Sequence, residues 1–191
     1  MRIIAGFAGG RKFEAPEGTH TRPTLDRVRE NLFNILQYRI RDSRVLDLFA
    51  GSGALSLEAI SRGASDAVLV DSDRNANRIQ RKNLDQLGMD DRARVYLCDW
   101  RKAVKELETQ GRQFDIIFLD PPYRMTDMRD VFAALVKLTA PDGLIVLEHE
   151  AKSEPVTGDL FEKTDERRWG YCGISFFKVA TSGTGPQFPC G

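Results

Sequence analysis

The chain has 191 residues, 41% of them hydrophobic and 29% charged, and its 28 basic and 28 acidic side chains cancel. This composition predicts one globular domain with a substantial core. No apolar run approaches the ~18 residues of a membrane span, the N-terminus lacks the apolar stretch of a signal peptide, and three cysteines without a C-x-x-C pair argue against disulfides or a metal site, so we expect a cytoplasmic protein.

The first 43 residues differ in pattern from the rest of the chain. Arg2–Phe7 and Arg11–Ala15, separated by Ala8-Gly9-Gly10, predict a β-hairpin. Pro23 or Thr24 then stands where a helix begins. The apolar face of this helix is predicted to consist of Leu25, Val28, Leu32, Ile35 and Leu36.

From residue 44 onward, short apolar strands alternate with helical patterns. The predicted strands are Arg44–Phe49, Ala67–Asp71, Arg94–Cys98, Asp115–Leu119 and Leu144–Glu148. The predicted helices between them are Ala54–Arg62, Arg74–Leu87, Trp100–Thr109 and Asp127–Leu138. Leu160–Arg168 and Ile174–Val179 follow without a helix and predict an antiparallel hairpin. The order predicts an α/β fold of the Rossmann-like type, with a mostly parallel seven-stranded sheet.

The predicted organisation has three parts. Residues 1–43 form the N-terminal hairpin and helix, residues 44–180 the α/β domain, and residues 181–191 an irregular Gly/Pro-rich tail. Residues 1–44 carry nine basic and five acidic side chains, so the first segment is net positive and the remainder net negative. A basic segment of this kind can bind phosphates, although solvated surface charge explains the same pattern.

The first strand leads into a glycine-containing turn that predicts a ligand site. Asp47 lies inside the strand just before the loop, in Val45-Leu46-Asp47-Leu48-Phe49-Ala50-Gly51-Ser52-Gly53. Glycines there let the backbone approach a ligand at the carboxyl edge of the sheet. A dinucleotide loop would need a third glycine where Ser56 stands, and Asp47 would repel a pyrophosphate. A ligand with an ammonium group and no phosphate fits better, which favours S-adenosylmethionine over NAD.

Acidic residues also end the second and third predicted strands. Asp71, followed by Ser72, is placed to accept ribose hydroxyls, and Asp99, followed by Trp100, is placed to bind an adenine ring. Each aspartate has a simpler reading as the N-cap of the helix that follows it. Three acids around one crevice nevertheless favour a cofactor site, with no metal.

The fourth strand runs into Asp120-Pro121-Pro122-Tyr123, which predicts the catalytic loop. Two prolines fix φ and leave a rigid loop whose acceptors are the Asp120 carboxylate and the Pro121 carbonyl. Such acceptors can bind both N–H groups of an aromatic amine and direct its lone pair at a methyl donor. Tyr123 can stack on the base. A structural Pro-Pro turn is the alternative reading.

The chain resembles class I methyltransferases with a D/N/S-P-P-Y/F/W loop, and more closely the bacterial RsmD family. The resemblance covers about residues 1–180 and rests on several short motifs. These are Arg2–Gly6, Gly10–Lys12, Thr21–Thr24, Asp26–Glu30, Asp47–Leu55, Phe118–Tyr123 and Leu147–His149. It implies transfer of a methyl group from S-adenosylmethionine, which becomes S-adenosylhomocysteine, to the N2 amine of a guanine in 16S ribosomal RNA.

The resemblance also implies partners and binding residues. The substrate would be a small-subunit assembly intermediate, and the enzyme would act as a monomer without a membrane. RNA contacts are predicted at Arg11, Lys12, Arg22, Arg27, Arg29 and Arg124, with solvated surface as the competing reading. Ser56 replaces a glycine frequent in the family, and we expect little consequence. His149 is expected to be structural rather than to border the base.

Other functions remain compatible with the residues alone. The same D-P-P-Y chemistry serves DNA adenine-N6 methyltransferases, although 191 residues leave little room for a DNA-reading domain. Protein-glutamine methyltransferases usually carry Asn where Asp120 stands. A non-enzymatic assembly factor would have less reason to keep the acids at Asp47, Asp71 and Asp120.

Overall fold

A computed structural model describes residues 1–15, 23–122 and 124–180, with the backbone alone for residues 23–25. The helices are α1 (Pro23–Ile40), α2 (Ala54–Ser61), α3 (Arg74–Leu87), α4 (Trp100–Thr109) and α5 (Arg129–Leu135). The strands are β1 (Arg44–Asp47), β2 (Asp66–Asp71), β3 (Ala93–Leu97), β4 (Phe114–Leu119), β5 (Thr139–Glu150), β6 (Phe161–Trp169) and β7 (Cys172–Val179).

The seven strands form one sheet in the order β3-β2-β1-β4-β5-β7-β6. β1 to β5 are parallel to one another, and β7 runs antiparallel between β5 and β6. The chain builds outward from β1 to β3 and then crosses back to β4. This reversal opens a crevice at the carboxyl ends of β1 and β4, where open α/β sheets bind ligands. The predicted fold class is confirmed.

Two apolar layers cover the sheet. One contains Leu32, Phe33 and Leu36 of α1 together with side chains of α2 and α3. The other contains α4 and α5, where the Phe132 ring packs edge-on against Phe161 and Phe177. Because α1 packs in the same layer as α2 and α3, the N-terminal helix is part of the core of the α/β domain.

The predicted element bounds agree with the structure to different degrees. The ranges of α3 and α4 are as predicted, whereas α5 is shorter at both ends. β5 begins at Thr139, five residues before the predicted start, because its register against β4 shifts near Phe114. On α1, the predicted face residue Ile35 is 40% exposed, and Phe33 is buried instead.

The predicted N-terminal β-hairpin is wrong in its extent. It reduces to one antiparallel bridge, Arg2 to Lys12, with a few flanking backbone bonds. The amides of Ile4 and Ala5 donate instead to the buried Glu58 carboxylate, at 2.8 and 3.0 Å. These bonds attach the segment to α2. The two amides are therefore not available to pair with a second strand.

Within the described residues, no helix is both long enough and apolar enough to cross a membrane. The tail predicted for residues 181–191 lies outside the described residues.

Candidate active site

The loop after β1 is a tight turn held from below. Gly51 and Gly53 adopt positive φ angles of 51° and 81°. A Cβ on Gly53 would lie 2.8 Å from Leu69 Cδ2, so a side chain here would displace Leu69 and would also strain the backbone at this positive φ. The Gly51 amide donates to Asp71 Oδ2 at 2.8 Å, and its carbonyl accepts from Gln80 Nε2 at 2.8 Å. The predicted loop geometry is therefore present and rigid.

Asp47 lies at the base of this loop and is 1% exposed. Its Oδ2 accepts a hydrogen bond from the Ser56 hydroxyl at 2.9 Å, while its Oδ1 is buried without a partner. Burial raises the pKa of Asp47 to about 7, against the effect of the Ser56 bond. The expectation that Ser56 has little consequence is wrong, because a glycine could not make this bond.

The two aspartates at the ends of β2 and β3 play different structural parts. Asp71 braces the glycine loop, and the N-cap of α3 is Asp73, which accepts from the Ala76 amide at 2.7 Å. The N-cap reading of Asp71 is thus wrong. Asp99 does cap α4 through the Arg101 amide at 2.9 Å, so that reading is confirmed.

A cleft of about 800 Å³ opens above these loops. It is lined by Leu48, Phe49, Gly51, Asp71, Ser72, Cys98, Asp99, Trp100, Asp120, Pro121, Pro122, Arg124 and Met125. It brings together most of the predicted cofactor residues and the described catalytic residues. Asp47 and Ala50 lie buried beneath it. Ser52 and Gly53 belong to the same turn but do not line the cleft.

The predicted catalytic loop leaves the sheet directly after β4. Pro121 is buried and Pro122 is exposed. The Pro122 carbonyl accepts from the Met125 amide at 2.7 Å, which closes the turn. Tyr123 lies outside the described residues. The loop thus presents Asp120 and Pro121 to the same cleft as the cofactor-type residues.

Asp120 is open to the cleft, yet protein surrounds its carboxyl group on the other sides. Desolvation by that surrounding protein, followed by the charges of Glu148 and Asp47, raises its pKa well above the ordinary value. Sequence reasoning did not single out Glu148. The position of Glu148 could have indicated its importance, because this residue stands near the end of the predicted strand Leu144–Glu148, which follows the strand that leads into the catalytic loop.

His149 is structural in its contacts, as expected. It is 6% exposed, with Nδ1 2.9 Å from the Glu150 carbonyl and Nε2 2.9 Å from Ser175 Oγ. A carbonyl can only accept, so Nδ1 carries the proton and Nε2 accepts from the serine hydroxyl. Gly173 packs against the ring, where a Cβ would approach its Cε1 within 2.6 Å.

The predicted RNA-contacting residues are dispersed. Arg27 and Arg124 are exposed, and Arg124 lines the cleft. Arg29 is wrong as a phosphate contact, because its side chain is 5% exposed and donates to the Arg2 carbonyl and to Asp26. Arg22 lies outside the described residues.

Arg11 and Lys12 lie beside the far end of α3. The Arg11 guanidinium donates to the carbonyls of Gln86 and Leu87 and so caps this helix. Gln86 and Leu87 lie about one turn beyond Asn83, whose amide donates to the Ser52 carbonyl of the glycine loop. Neither Arg11 nor Lys12 lines the cleft that contains the catalytic loop.

The doubly wound sheet, the glycine loop after β1 and the D-P-P-Y loop after β4 together define a class I S-adenosylmethionine-dependent methyltransferase. Comparison with known proteins narrows this class. Residues 1–178 match the family model described as conserved hypothetical protein 95. Ribosomal RNA small subunit methyltransferase D of Escherichia coli (strain K12) is 41% identical over 155 residues, which are 80% of this chain and 76% of that protein. The chain therefore belongs to the RsmD family, as its motifs indicated.

Two further similarities extend over nearly the whole chain. YlbH of Bacillus subtilis (strain 168), provisionally named an rRNA methyltransferase, is 38% identical over 182 residues, 93% of this chain and 98% of its own. The solved structure of yhhF from Escherichia coli, provisionally named a methyltransferase, superposes with a TM-score of 0.79 at 36% identity. That superposition covers 94% of this chain and 97% of the other.

Proposed function

We propose that this protein transfers a methyl group from S-adenosylmethionine to the exocyclic N2 amine of a guanine in 16S ribosomal RNA. The observation that carries the proposal is the shared cleft, in which Asp71 and Trp100 on one side and Asp120 and Pro121 on the other face one space. The rRNA substrate is supported by the names of the relatives. Guanine N2 is supported by the resemblance to the family.

The residues around the glycine loop fit the methyl donor. The buried Asp47 Oδ1 lacks a hydrogen-bond partner, and an ammonium group at the loop would supply one. Asp71 and Ser72 would bind the ribose hydroxyls. Asp99 would accept from the adenine amino group beside Phe49 and Trp100. The bound donor supplies an electrophilic methyl group.

The catalytic loop fits the acceptor amine. Asp120 and the Pro121 carbonyl would accept the two N–H groups, and Tyr123 would stack on the base. This arrangement directs the nitrogen lone pair at the methyl group, so positioning supplies most of the rate. After transfer the nitrogen loses one proton to Asp120. The raised pKa of Asp120 makes its carboxylate a better acceptor for that proton than an ordinary aspartate.

The RNA would reach the cleft past exposed cations. Arg124, which lines the cleft, would bind a phosphate next to the target base, and the exposed Arg27 on α1 would bind another phosphate of the RNA. Lys12 and Arg11 would contact phosphates away from the target base, because neither residue lines the cleft. The protein would act as a cytoplasmic monomer on a small-subunit assembly intermediate.

A labelled-methyl transfer assay tests the proposal. Small ribosomal subunits from cells lacking the enzyme, naked 16S RNA, duplex DNA and a glutamine-containing protein are offered with labelled S-adenosylmethionine. We expect label in the ribosomal particles, located on guanine N2 by mass spectrometry of the nucleosides. Label only on DNA adenine or on glutamine, or on no substrate, contradicts the proposal.

Replacing Asp120 tests the catalytic assignment. We expect Asp120→Ala to lower the turnover number at least about 100-fold, because one fixed acceptor at the reacting nitrogen is lost. Binding of S-adenosylmethionine, measured by calorimetry, should stay close to that of the unmodified protein. Asp91→Ala removes an exposed aspartate from the turn before β3 and serves as the matched control. Full activity of Asp120→Ala would show the assignment to be wrong.

A further inference from the structure

Glu148 lies beside Asp120 in the sheet. The parallel register of β4 and β5 pairs Phe118 with Val146 and Leu119 with Leu147, so the next residues, Asp120 and Glu148, are lateral neighbours. Side chains alternate between the two faces of a sheet. Phe118 and Val146 belong to the layer that contains α1, so Asp120 and Glu148 point to this same side. Their charges interact, which agrees with this placement.

Three carboxylates therefore follow one another along the carboxyl edge of the sheet, with Asp120 lining the cleft and Asp47 buried beneath it. Asp47 ends β1, Asp120 follows β4, and Glu148 lies near the end of β5, in the spatial order of the strands. The cofactor loop follows β1, so the methyl donor occupies the Asp47 side of Asp120. A target amine bound at Asp120 then has the remainder of its base on the opposite side, over β5. Glu148 is the carboxylate on that substrate side.

The edge of the base next to the amine distinguishes guanine from adenine. In guanine the N2 amine stands beside N1–H, which is a donor. In adenine the N6 amine stands beside N1, which is an acceptor. An ionised carboxylate only accepts hydrogen bonds, so it complements guanine and repels adenine. Resting on the function proposed above, we infer that Glu148 accepts the N1–H of the target guanine and thereby selects guanine over adenine.

The surroundings of Glu148 hold it for this role. β5 lies between β4 and β7, and Glu148 is half-buried opposite Ile174. Burial, followed by the charge of Glu148, raises the pKa of the Cys172 thiol, which places this thiol close to the carboxylate. A preorganised, partly desolvated acceptor rejects a base that lacks the matching donor, because both acceptors would be left unpaired.

The test uses 2-aminopurine, which keeps the amine at C2 but has an acceptor at N1. Small subunits are reconstituted with 16S RNA that carries guanine or 2-aminopurine at the target position. For the unmodified protein we expect kcat/KM to fall at least about 30-fold on 2-aminopurine. The ratio of kcat/KM on guanine to kcat/KM on 2-aminopurine measures the selectivity. Glu148→Gln should reduce this ratio to about fivefold or less, since an amide can turn to donate to N1. Glu150→Gln, an exposed glutamate on the same strand, should leave the ratio unchanged.

Each outcome decides the inference. Loss of O6 in 2-aminopurine affects every variant equally, so a change in the ratio reports the N1 contact alone. Equal rates of the unmodified protein on both particles would overturn the inference without any variant. An unchanged ratio in a Glu148→Gln protein that binds S-adenosylmethionine normally would overturn it as well. Failure of the unmodified protein to methylate the guanine particle refutes the proposed function instead.

Discussion

The carboxyl group of Asp47 is buried, so ionising it costs stability. The carboxylate is 1% exposed, and its pKa of about 7 lies above the ordinary 3.8. The folded protein therefore keeps a proton that the unfolded chain releases between about pH 4 and pH 7. The stability associated with this proton is present at low pH and is lost as the pH rises through about 7. In the protein without its donor, Asp47 favours unfolding at alkaline pH.

Asp47→Asn tests this cost. At pH 8.5 without donor, we expect the variant to be more stable than the unmodified protein by about 1–3 kcal/mol. The gain stays below the full effect of the pKa shift, because the new amide also leaves one buried polar atom unpaired. At pH 5.5 the two proteins should differ little. Urea unfolding at both pH values measures the difference.

A loss of donor binding should accompany this gain in stability. An ammonium group would bind the unpartnered Asp47 Oδ1. Calorimetry should therefore show that Asp47→Asn binds S-adenosylmethionine with lower affinity than the unmodified protein. Asp91→Asn, exposed at the opposite edge of the sheet, should change neither property. If Asp47→Asn is as stable as the unmodified protein at every pH, the carboxylate is not held in the way described.

Single residues were predictable where the chain itself sets the geometry. Asp120 and Pro121 follow a strand directly, so their place at the sheet edge could be predicted from the sequence. Glu148 was passed over because its significance depends on strand register, which only the pairing of β4 with β5 supplies. Arg29 was misplaced for a related reason: it lies beside the apolar stripe of α1, and only the N-terminal segment packed over it buries its side chain.

At the scale of elements, Glu58 anchors the N-terminal segment. This fully buried carboxylate accepts from the Ile4 amide at 2.8 Å and the Ala5 amide at 3.0 Å, and from Arg62 Nε at 2.7 Å. Ser61 adds a bond from the Ala8 amide at 3.1 Å. The backbone of Gly6 also packs directly against Ser61, where a Cβ on the glycine would lie 1.8 Å from the Ser61 carbonyl oxygen. The segment is thus tied to α2, whose N-terminus carries the cofactor loop.

Glu58→Gln should loosen this attachment. The amide nitrogen of glutamine would face at least one backbone donor, so we expect a loss of about 2–4 kcal/mol in the free energy of unfolding. Amide hydrogen exchange at Ile4 and Ala5 should rise more than exchange in β4. Glu30→Gln, exposed on α1, is the matched control. Unchanged exchange at Ile4 and Ala5 would mean that the anchor lies elsewhere.

Elements whose ends are set by nearby residues could be predicted from the sequence, and elements held by distant residues could not. α3 and α4 have local signals at both ends, such as the cap at Asp73 and the left-handed Gly88, so their bounds were predictable. The N-terminal segment has the pattern of a hairpin, but its amides pair with a side chain more than fifty residues away. Local pattern cannot reveal such a partner, and the predicted hairpin was therefore too regular.

At the scale of the whole molecule, zero net charge must coexist with RNA binding. The cations are not gathered on one face, since Arg29 is buried and Arg11 caps the remote end of α3. Among the described residues predicted to contact RNA, Arg27 and Arg124 are exposed, and Arg124 lines the cleft. We therefore expect few phosphate contacts near the target base, with the rest of the affinity contributed by a larger particle surface.

Arg27→Ala combined with Arg124→Ala tests this distribution. Each lost phosphate contact should reduce the slope of log affinity against log salt concentration by about 0.7–0.9, so the double variant should lose up to about 1.8 of slope. Binding to small subunits, measured by filter retention between low and moderate salt, gives this slope. Arg41→Ala, 87% exposed just beyond the far end of α1, should leave it unchanged. If Arg41→Ala reduced the slope as much as the double variant does, the RNA would be bound by the overall surface charge, because cations at both ends of α1 would then contribute to binding.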